Sequence, residues 1–421
     1  MKHVILGNGP TGVVAAETIR RKRPNDEIVI VGDEHERPYS RMAIPYLLEG
    51  KIAESGTLLR HDRDHWEHAR IGLVEARATS IDSSARVVRL SNGSSLPYDR
   101  LLLATGSKPV RPPIPGMDLP RVVSCWTLED ARAIRDFLRP GARVLQMGAG
   151  FIGCIIMEAI ATTVGKTGGS LTVVEMGDRM VPRMMTPQAS RLIRSWSEKA
   201  GVEVLTSTRV AAIATSGDGV DVTFGDGSAR AFDFVICATG VAPATEYLKG
   251  SGVAIGKLGG IVVDLGMQTS IEGVYAAGDC TEAYDFSTGE PMVNAIQPSA
   301  ADQALIAGQN MAGGTARTRG ALRMNVLETF GLISTSYGQW WGAEDGDHVE
   351  EVDAEEYRYI RLEFRGNVVI GATVVGRTHH IGALRGLIQT GVRLTDAWKA
   401  KLKTDPSKFM DAYLACGQSA T

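Results

Sequence analysis

Cysteine is scarce in this chain. Five occur in 421 residues, at Cys125, Cys154, Cys237, Cys280 and Cys416, with no Cys-x-x-Cys spacing among them. That excludes an intrinsic iron–sulfur cluster or zinc ribbon built from local cysteine pairs. Four of the five stand in apolar or glycine-rich settings and read as small core residues. Cys280 follows Asp279 at an expected helix start, a position that can lower a thiol's pKa, though a small residue packed beneath a ligand explains it equally well. Long apolar runs are missing too. The nearest, around residues 151–161, is interrupted by Glu158 and falls short of the ~18 residues of a bilayer span. Charge of one sign is also lacking, because a net charge of −3 gives no basic face for nucleic acid. The first residues, Met1-Lys-His-Val-Ile-Leu6, enter an apolar strand at once, which leaves no room for a signal peptide and implies a cytoplasmic protein.

Glycine, by contrast, is plentiful, with 48 residues, and its placement is patterned. Val4-Ile-Leu-Gly-Asn-Gly-Pro-Thr-Gly12 is an apolar strand running into Gly7, Gly9 and Gly12, and residues 144–153 repeat the pattern with Gly148, Gly150 and Gly153. Each reads as strand, tight turn and helix start. The first glycine allows the turn, the second lets backbone approach a pyrophosphate, and the third lets helix and strand pack closely. The helix N-terminus meanwhile presents free N–H groups to negative charge. Two such cradles imply two dinucleotides.

Acids follow each cradle at the expected distance. The strand Glu27–Val31 ends just before Asp33 and Glu34, of which Asp33 is the favoured partner for adenosine ribose hydroxyls. The strand Leu171–Val174 ends in Glu175, a carboxylate that accepts bonds from a 2′-hydroxyl and repels a 2′-phosphate, which favours NAD over NADP. Arg179 and Arg183 are nearby but not placed as a phosphate clamp. The mixture of helix and strand signals with 44% apolar and 22% charged residues is that of a globular α/β protein.

Three further motifs complete an ordered set. Leu101-Leu-Leu-Ala-Thr-Gly-Ser107 and Val235-Ile-Cys-Ala-Thr-Gly-Val241 are apolar strands ending in Ala-Thr-Gly, and Val274-Tyr-Ala-Ala-Gly-Asp279 ends in Gly-Asp. With the cradles, this order resembles the two-dinucleotide-binding flavoproteins of the pyridine nucleotide-disulfide oxidoreductase superfamily over residues 1–314. The resemblance implies two Rossmann-like domains, an FAD domain with an inserted NAD domain, plus a C-terminal α+β domain. The expected boundaries are 1–112 and 244–314 for FAD, 113–243 for NAD and 315–421 for the C-terminal domain. It implies that Gly7, Gly9, Gly12, Asp33, Glu34, Arg41, Ala78, Thr105, Gly106 and Asp279 serve FAD, Asp279 at the ribityl chain. Gly148, Gly150, Gly153, Glu175 and Gly240 then serve NAD. In the C-terminal part, residues 359–364 and 367–375 read as strands joined by a hairpin turn at Arg365-Gly366-Asn367.

Departures from the superfamily pattern narrow the chemistry. Its thiol-dependent members carry a cysteine where Tyr39-Ser-Arg-Met-Ala-Ile-Pro-Tyr46 places Met42, and a thioether forms neither thiolate nor mixed disulfide. His379-His380 is followed by Ile381-Gly382 rather than the proline of the disulfide reductases. The chain therefore resembles the rubredoxin and ferredoxin reductases, the flavin region of assimilatory nitrite reductases, and FAD subunits of NAD-coupled aldehyde or 2-oxoacid oxidoreductases. The partner implied is an iron–sulfur redox protein or subunit, with an oligomer or hetero-complex possible. Ferredoxin reductases usually carry a lysine where Tyr46 stands and a glutamate where Ile155 stands; Glu158, one turn further, is the candidate substitute. The alternatives are an NADH oxidase or small-disulfide reductase acting alone, or a redox-responsive interaction flavoprotein.

Other signals are set aside. His61, His65 and His68 have helical metal-ligand spacing but read as a charged helix anchored by Trp66, and no metal is assigned. Trp340-Trp341 and the basic run Arg317, Arg319 and Arg323 suit either a solvated or packed face or a partner surface.

Overall fold

The computed structural model describes residues 1–417, which divide into two compact units. The first comprises residues 1–47, 52–108 and 241–321, the second 48–51, 109–240 and the described residues from 322 onward.

The first unit is built on a five-stranded parallel sheet in the order Val274–Ala276, Arg100–Leu103, Lys2–Leu6, Glu27–Gly32, Ile71–Glu75. The central strands are almost wholly apolar because both faces are covered. Val4, Leu6, Leu101, Leu103 and Val274 pack on one side and Ile5, Ile30, Leu102 and Ala277 on the other. The helices Pro10–Lys22 and Gln297–Met311 pack against each other on the second side. Gly308 permits their close approach, since a Cβ there would lie 2.9 Å from the Ala15 carbonyl oxygen. A three-stranded antiparallel piece, residues 78–97, covers the first side.

The second unit repeats the design. Its parallel sheet runs Glu203–Leu205, Ser170–Val174, Arg143–Met147, Phe234–Cys237, Val122–Ser124. In both sheets the first strand of the unit's nucleotide fold lies centrally and the chain leaves it in opposite directions, which opens a crevice at the strands' C-terminal ends. The same unit carries a five-stranded antiparallel sheet in the order Met324–Thr329, Leu332–Gly338, Val368–Val375, Arg358–Arg365, Asp347–Asp353. The expected hairpin at Arg365-Gly366-Asn367 joins two of these strands, with Gly366 at φ +55°. Among the described residues no helix is long and apolar enough to cross a membrane. The run around Glu158 is the helix Phe151–Gly165, buried along one side against the sheet.

Candidate functional site

The first turn, between Lys2–Leu6 and Pro10–Lys22, assigns its three glycines distinct work. A Cβ on Gly7, whose φ is +115°, would lie 2.1 Å from the Ala104 carbonyl oxygen, and one on Gly12 would lie 1.9 Å from the Gly7 oxygen. Over Gly9 there is nothing within 4 Å. Two glycines thus serve packing, and the middle one faces open space. The second turn copies this: Gly148 (φ +100°) and Gly153 would clash with the Ala238 and Gly148 oxygens at 2.4 and 2.5 Å, while Gly150 is open. Gly9 and Gly150 share the same backbone, φ −75° with ψ −174° and −171°. Neither helix has a side-chain cap or an acid in its first turn, so the N–H groups and the positive end of each helix dipole remain available to an anion. The second cradle is braced by Gln146, whose amide donates to the Gly148 and Gly153 carbonyls at 2.9 and 2.8 Å. Sequence reading passed over this residue, although a glutamine inside an apolar strand was the signal.

The two acids after the first cradle are used differently. Glu34 accepts from the Tyr39 hydroxyl at 2.5 Å and from Arg41 at 2.6 Å, and Arg41 is thereby fixed as well. Asp33 is about half exposed and meets Arg77 at 3.2 Å across an exposed surface, which leaves it the more open carboxylate. After the second cradle, Glu175 accepts from the backbone N–H of Ala149 at 2.9 Å and of Gly177 at 2.8 Å. Each carboxylate oxygen keeps lone-pair capacity for a further donor. Arg183 is exposed and Arg179 pairs with Asp178 at 2.8 Å.

The Ala-Thr-Gly turns close each cradle from the neighbouring strand, with the Ala104 and Ala238 carbonyls lying beneath Gly7 and Gly148. Thr105 donates to the Ala244 carbonyl at 2.8 Å, and Gly106 (φ +67°) and Gly240 (φ +106°) face open space. Asp279 accepts from Ser107 at 2.9 Å. Burial raises its pKa, opposed by that hydrogen bond and by the charge of Arg41. Beside it, Gln303 receives the Gly278 N–H at 2.8 Å and Thr281 at 3.1 Å. Ser107 and Gln303 both position the Gly-Asp turn and were not singled out from sequence. Ala78 opens the strand Ala78–Asp82 and packs on the first unit's core.

Several expectations are corrected. Cys280 begins no helix; it precedes the strand Thr281–Tyr284, fully buried, with its thiol donating to the Leu103 and Ala277 carbonyls at 3.3 and 3.4 Å. Burial pushes that thiol up to about 11. The histidine segment forms only the short helix His65–His68, with His61 outside it, so the three rings share no helical face. His65 instead bonds Glu17 at 3.0 Å. Glu158 is half-buried and takes a backbone N–H from Phe330, with Glu328, Glu49 and Lys51 around it. Burial foremost, with the neighbouring acids, raises its pKa. Of these neighbours, Glu328 lies on the C-terminal sheet's first strand. The basic run is divided, Arg317 and Arg319 lying in the first unit and Arg323 in the second, where it stacks 4.7 Å from the centre of the half-exposed Trp341 ring. Trp340 is buried, edge-on to Trp341. Met42 and Tyr46 are both about half exposed.

Open space over Gly9 and Gly150, uncapped helix ends and carboxylates at the strand ends suit two dinucleotides; a Cβ at either middle glycine would project into the space that a pyrophosphate needs. Comparison with known proteins agrees. An NADH oxidase of Methanocaldococcus jannaschii is 35% identical over 321 residues, 74% of this chain and 70% of that protein. The epsilon subunit of an NADH-dependent phenylglyoxylate dehydrogenase of Aromatoleum evansii is 33% identical over 366 residues, covering 86% and 85%. Among solved structures, a NAD-dependent persulfide reductase from A. fulgidus superimposes with TM-score 0.85 at 30% identity, over 93% of this chain and 77% of that one. The putidaredoxin reductase–putidaredoxin complex gives TM-score 0.89 at 25% identity over 99% of both. The model of the pyridine nucleotide-disulphide oxidoreductases matches residues 1–301, and the chain therefore belongs to that family, whose members use FAD and NAD(H).

Proposed function

We propose that this chain is an FAD-dependent NADH:acceptor oxidoreductase that passes electrons to an iron–sulfur protein or partner subunit. The domain reading that goes with it puts FAD on residues 1–112 and 244–314, NAD on 113–243, and the partner against 315–421. The observation that carries the proposal is the thiol inventory. All five cysteines are buried, and the exposed position where thiol-dependent relatives keep a cysteine is Met42. A family member without an accessible thiol has no internal second redox centre for disulfide chemistry. When bound, FAD supplies two-electron hydride acceptance with one-electron release, the conversion that an iron–sulfur partner requires.

The chain's own residues bind and orient. Gly9 and Gly150 admit pyrophosphates to the two helix N-termini, Asp33 and Glu175 take ribose hydroxyls, and Asp279, held by Ser107, accepts from the ribityl chain. Glu175 also sets the nucleotide choice, because a 2′-phosphate would meet its carboxylate. The A. evansii subunit and the putidaredoxin reductase complex support a partner-dependent enzyme. The M. jannaschii relative supports a second reading, an oxidase that gives its electrons directly to oxygen.

Stopped-flow absorbance separates these readings. Reduce the flavin-loaded protein with NADH without air, then mix it with a [2Fe–2S] ferredoxin, with oxygen or with a small disulfide. Reoxidation fastest by the ferredoxin is expected. Fastest reoxidation by oxygen would favour the oxidase, and by the disulfide would restore thiol chemistry.

A further inference from the structure

In the second unit, the segment from Glu175 to Thr186 touches the nucleotide cradle at one end and the C-terminal sheet at the other. Ala149, between Gly148 and Gly150, is clamped twice by it: its N–H donates to Glu175 at 2.9 Å and its carbonyl accepts the Val181 N–H at 2.8 Å. Val181 holds this position at φ +43° while fully buried. A β-branched residue in the left-handed region is a strained outlier that persists only where surroundings impose it. The Val181 carbonyl then receives the N–H groups of Met184 and Met185 at 2.9 and 3.0 Å. Thr186 follows directly and caps the helix Pro187–Lys199, its oxygen accepting from the Ala189 N–H.

The Thr186 hydroxyl lies 2.7 Å from that of Tyr359, on the strand Arg358–Arg365. Tyr359 in turn meets the Glu350 carboxylate at 2.7 Å. A carboxylate accepts only, so Tyr359 donates to Glu350 and accepts from Thr186. Glu350 also meets Arg361, which pairs with Glu363 at 2.5 Å. Hydrogen bonds and the short stretch of chain between them thus connect the cradle to the sheet.

This connection is flanked by a helix–sheet seam. The helix Pro187–Lys199 packs on the strand Val368–Val375. Cross-strand register places Ser336, Thr373, Arg361 and Glu350 in one row on a single face of the sheet, the face that also bears Tyr359. The Ser336 and Thr373 hydroxyls are buried with no protein partner, and so is Ser190, one helical turn from Thr186 on the same helix.

We propose that nucleotide on the second cradle tightens the C-terminal sheet through the Glu175–Thr186 segment and the Thr186–Tyr359 hydroxyl pair. Ribose hydroxyls on Glu175 add bonds to the carboxylate that clamps Ala149, and the strained Val181 turn carries the new restraint to Thr186. The inference rests on the reading of this cradle as the NAD site. It gives the C-terminal domain a signal that the nucleotide is in place.

Hydrogen exchange of the full flavin-loaded chain with and without NAD⁺ tests it, the oxidised nucleotide avoiding flavin reduction. Peptides spanning 148–156 and 358–375 should both exchange more slowly with NAD⁺, the latter by at least about fivefold, the low end of ordinary site-to-site coupling. In Tyr359→Phe the cradle response should remain and the sheet response disappear; Thr186→Ser, which keeps the hydroxyl, should retain both. If Tyr359→Phe does not hold flavin, Thr186→Ala removes the same bond from the helix side. A sheet response that survives loss of the pair, or is missing from wild type while the cradle responds, would overturn the proposal. Failure of the cradle peptides to respond would overturn the NAD assignment and this inference with it.

Discussion

Asp33 and Glu34 are adjacent carboxylates with different duties, and only the sequence position of the pair was legible beforehand. That Glu34 would be taken by Tyr39 and Arg41 depends on a loop folding back, which no local pattern encodes. Asp279 was legible through its Gly-Asp turn, whereas its support by Ser107 came from a strand distant in sequence. Its burial has a measurable consequence. A carboxyl whose folded pKa is raised binds a proton more tightly in the native state than in the unfolded chain. It therefore destabilises the fold increasingly as pH rises from the unfolded value, about 3.9, to the folded one, and by a constant amount above that. In flavin-free protein, Asp279→Asn should raise the thermal midpoint at pH 7, with the gain vanishing below about pH 4. Flavin affinity should fall at the same time, by the ~1.5–3 kcal/mol of a charged hydrogen bond. An unchanged midpoint at pH 7 would show that the buried charge is already compensated. Glu175→Ala should narrow the preference for NADH over NADPH, a difference expected to be on the order of 2–3 kcal/mol or tens to a hundredfold. Equal second-order rate constants for flavin reduction by the two nucleotides in wild type would reject that assignment.

At the scale of elements, strand, turn and helix were readable at both cradles because the glycine spacing reports steric necessity. A Cβ at Gly7, Gly12, Gly148 or Gly153 would lie 1.9 to 2.5 Å from a backbone carbonyl oxygen, which is why no larger residue stands there. Elements whose limits depend on tertiary partners were less legible. The segment 61–68 carries helical spacing yet forms four helical residues, since short helices are marginal unless packing rewards them. Cys280 follows a Gly-Asp turn that enters a strand, and the residue types around it suit either outcome. The two kinds of cradle glycine make a prediction. Gly12→Ala should destabilise by at least ~1–3 kcal/mol through overpacking, visible in denaturant unfolding. Gly9→Ala, with nothing within 4 Å of the new methyl, should leave the folded chain near wild-type stability but poor in flavin. Gly150→Ala should by contrast retain flavin and lose NADH affinity. If Gly9→Ala purified yellow and fully loaded, the open space over that glycine would not be where the flavin pyrophosphate lies.

For the whole molecule, motif order disclosed two nucleotide folds and a third region. It did not disclose that residues 109–240 and the described residues from 322 onward form one compact unit, because that grouping rests on contacts such as Thr186 with Tyr359 between segments far apart in sequence. Burial in the two units limits what three of the cysteines can do. Cys125 and Cys154 are buried, and burial pushes their thiols up to about 12, so neither supplies a thiolate at neutral pH; Cys280, pushed up to about 11, does little better. A chain with Cys125, Cys154, Cys237, Cys280 and Cys416 all replaced by Ala or Ser should lose stability, about 1–2 kcal/mol for each buried site. If it remains folded and flavin-bound, it should still be reduced by NADH and reoxidised by a one-electron acceptor at near wild-type rates. The single substitutions guard against a global loss of structure. Reoxidation lost in a folded, flavin-loaded Cys280→Ser protein alone would mean that electrons leave through a thiol after all, and the electron-transfer reading would give way to a disulfide one.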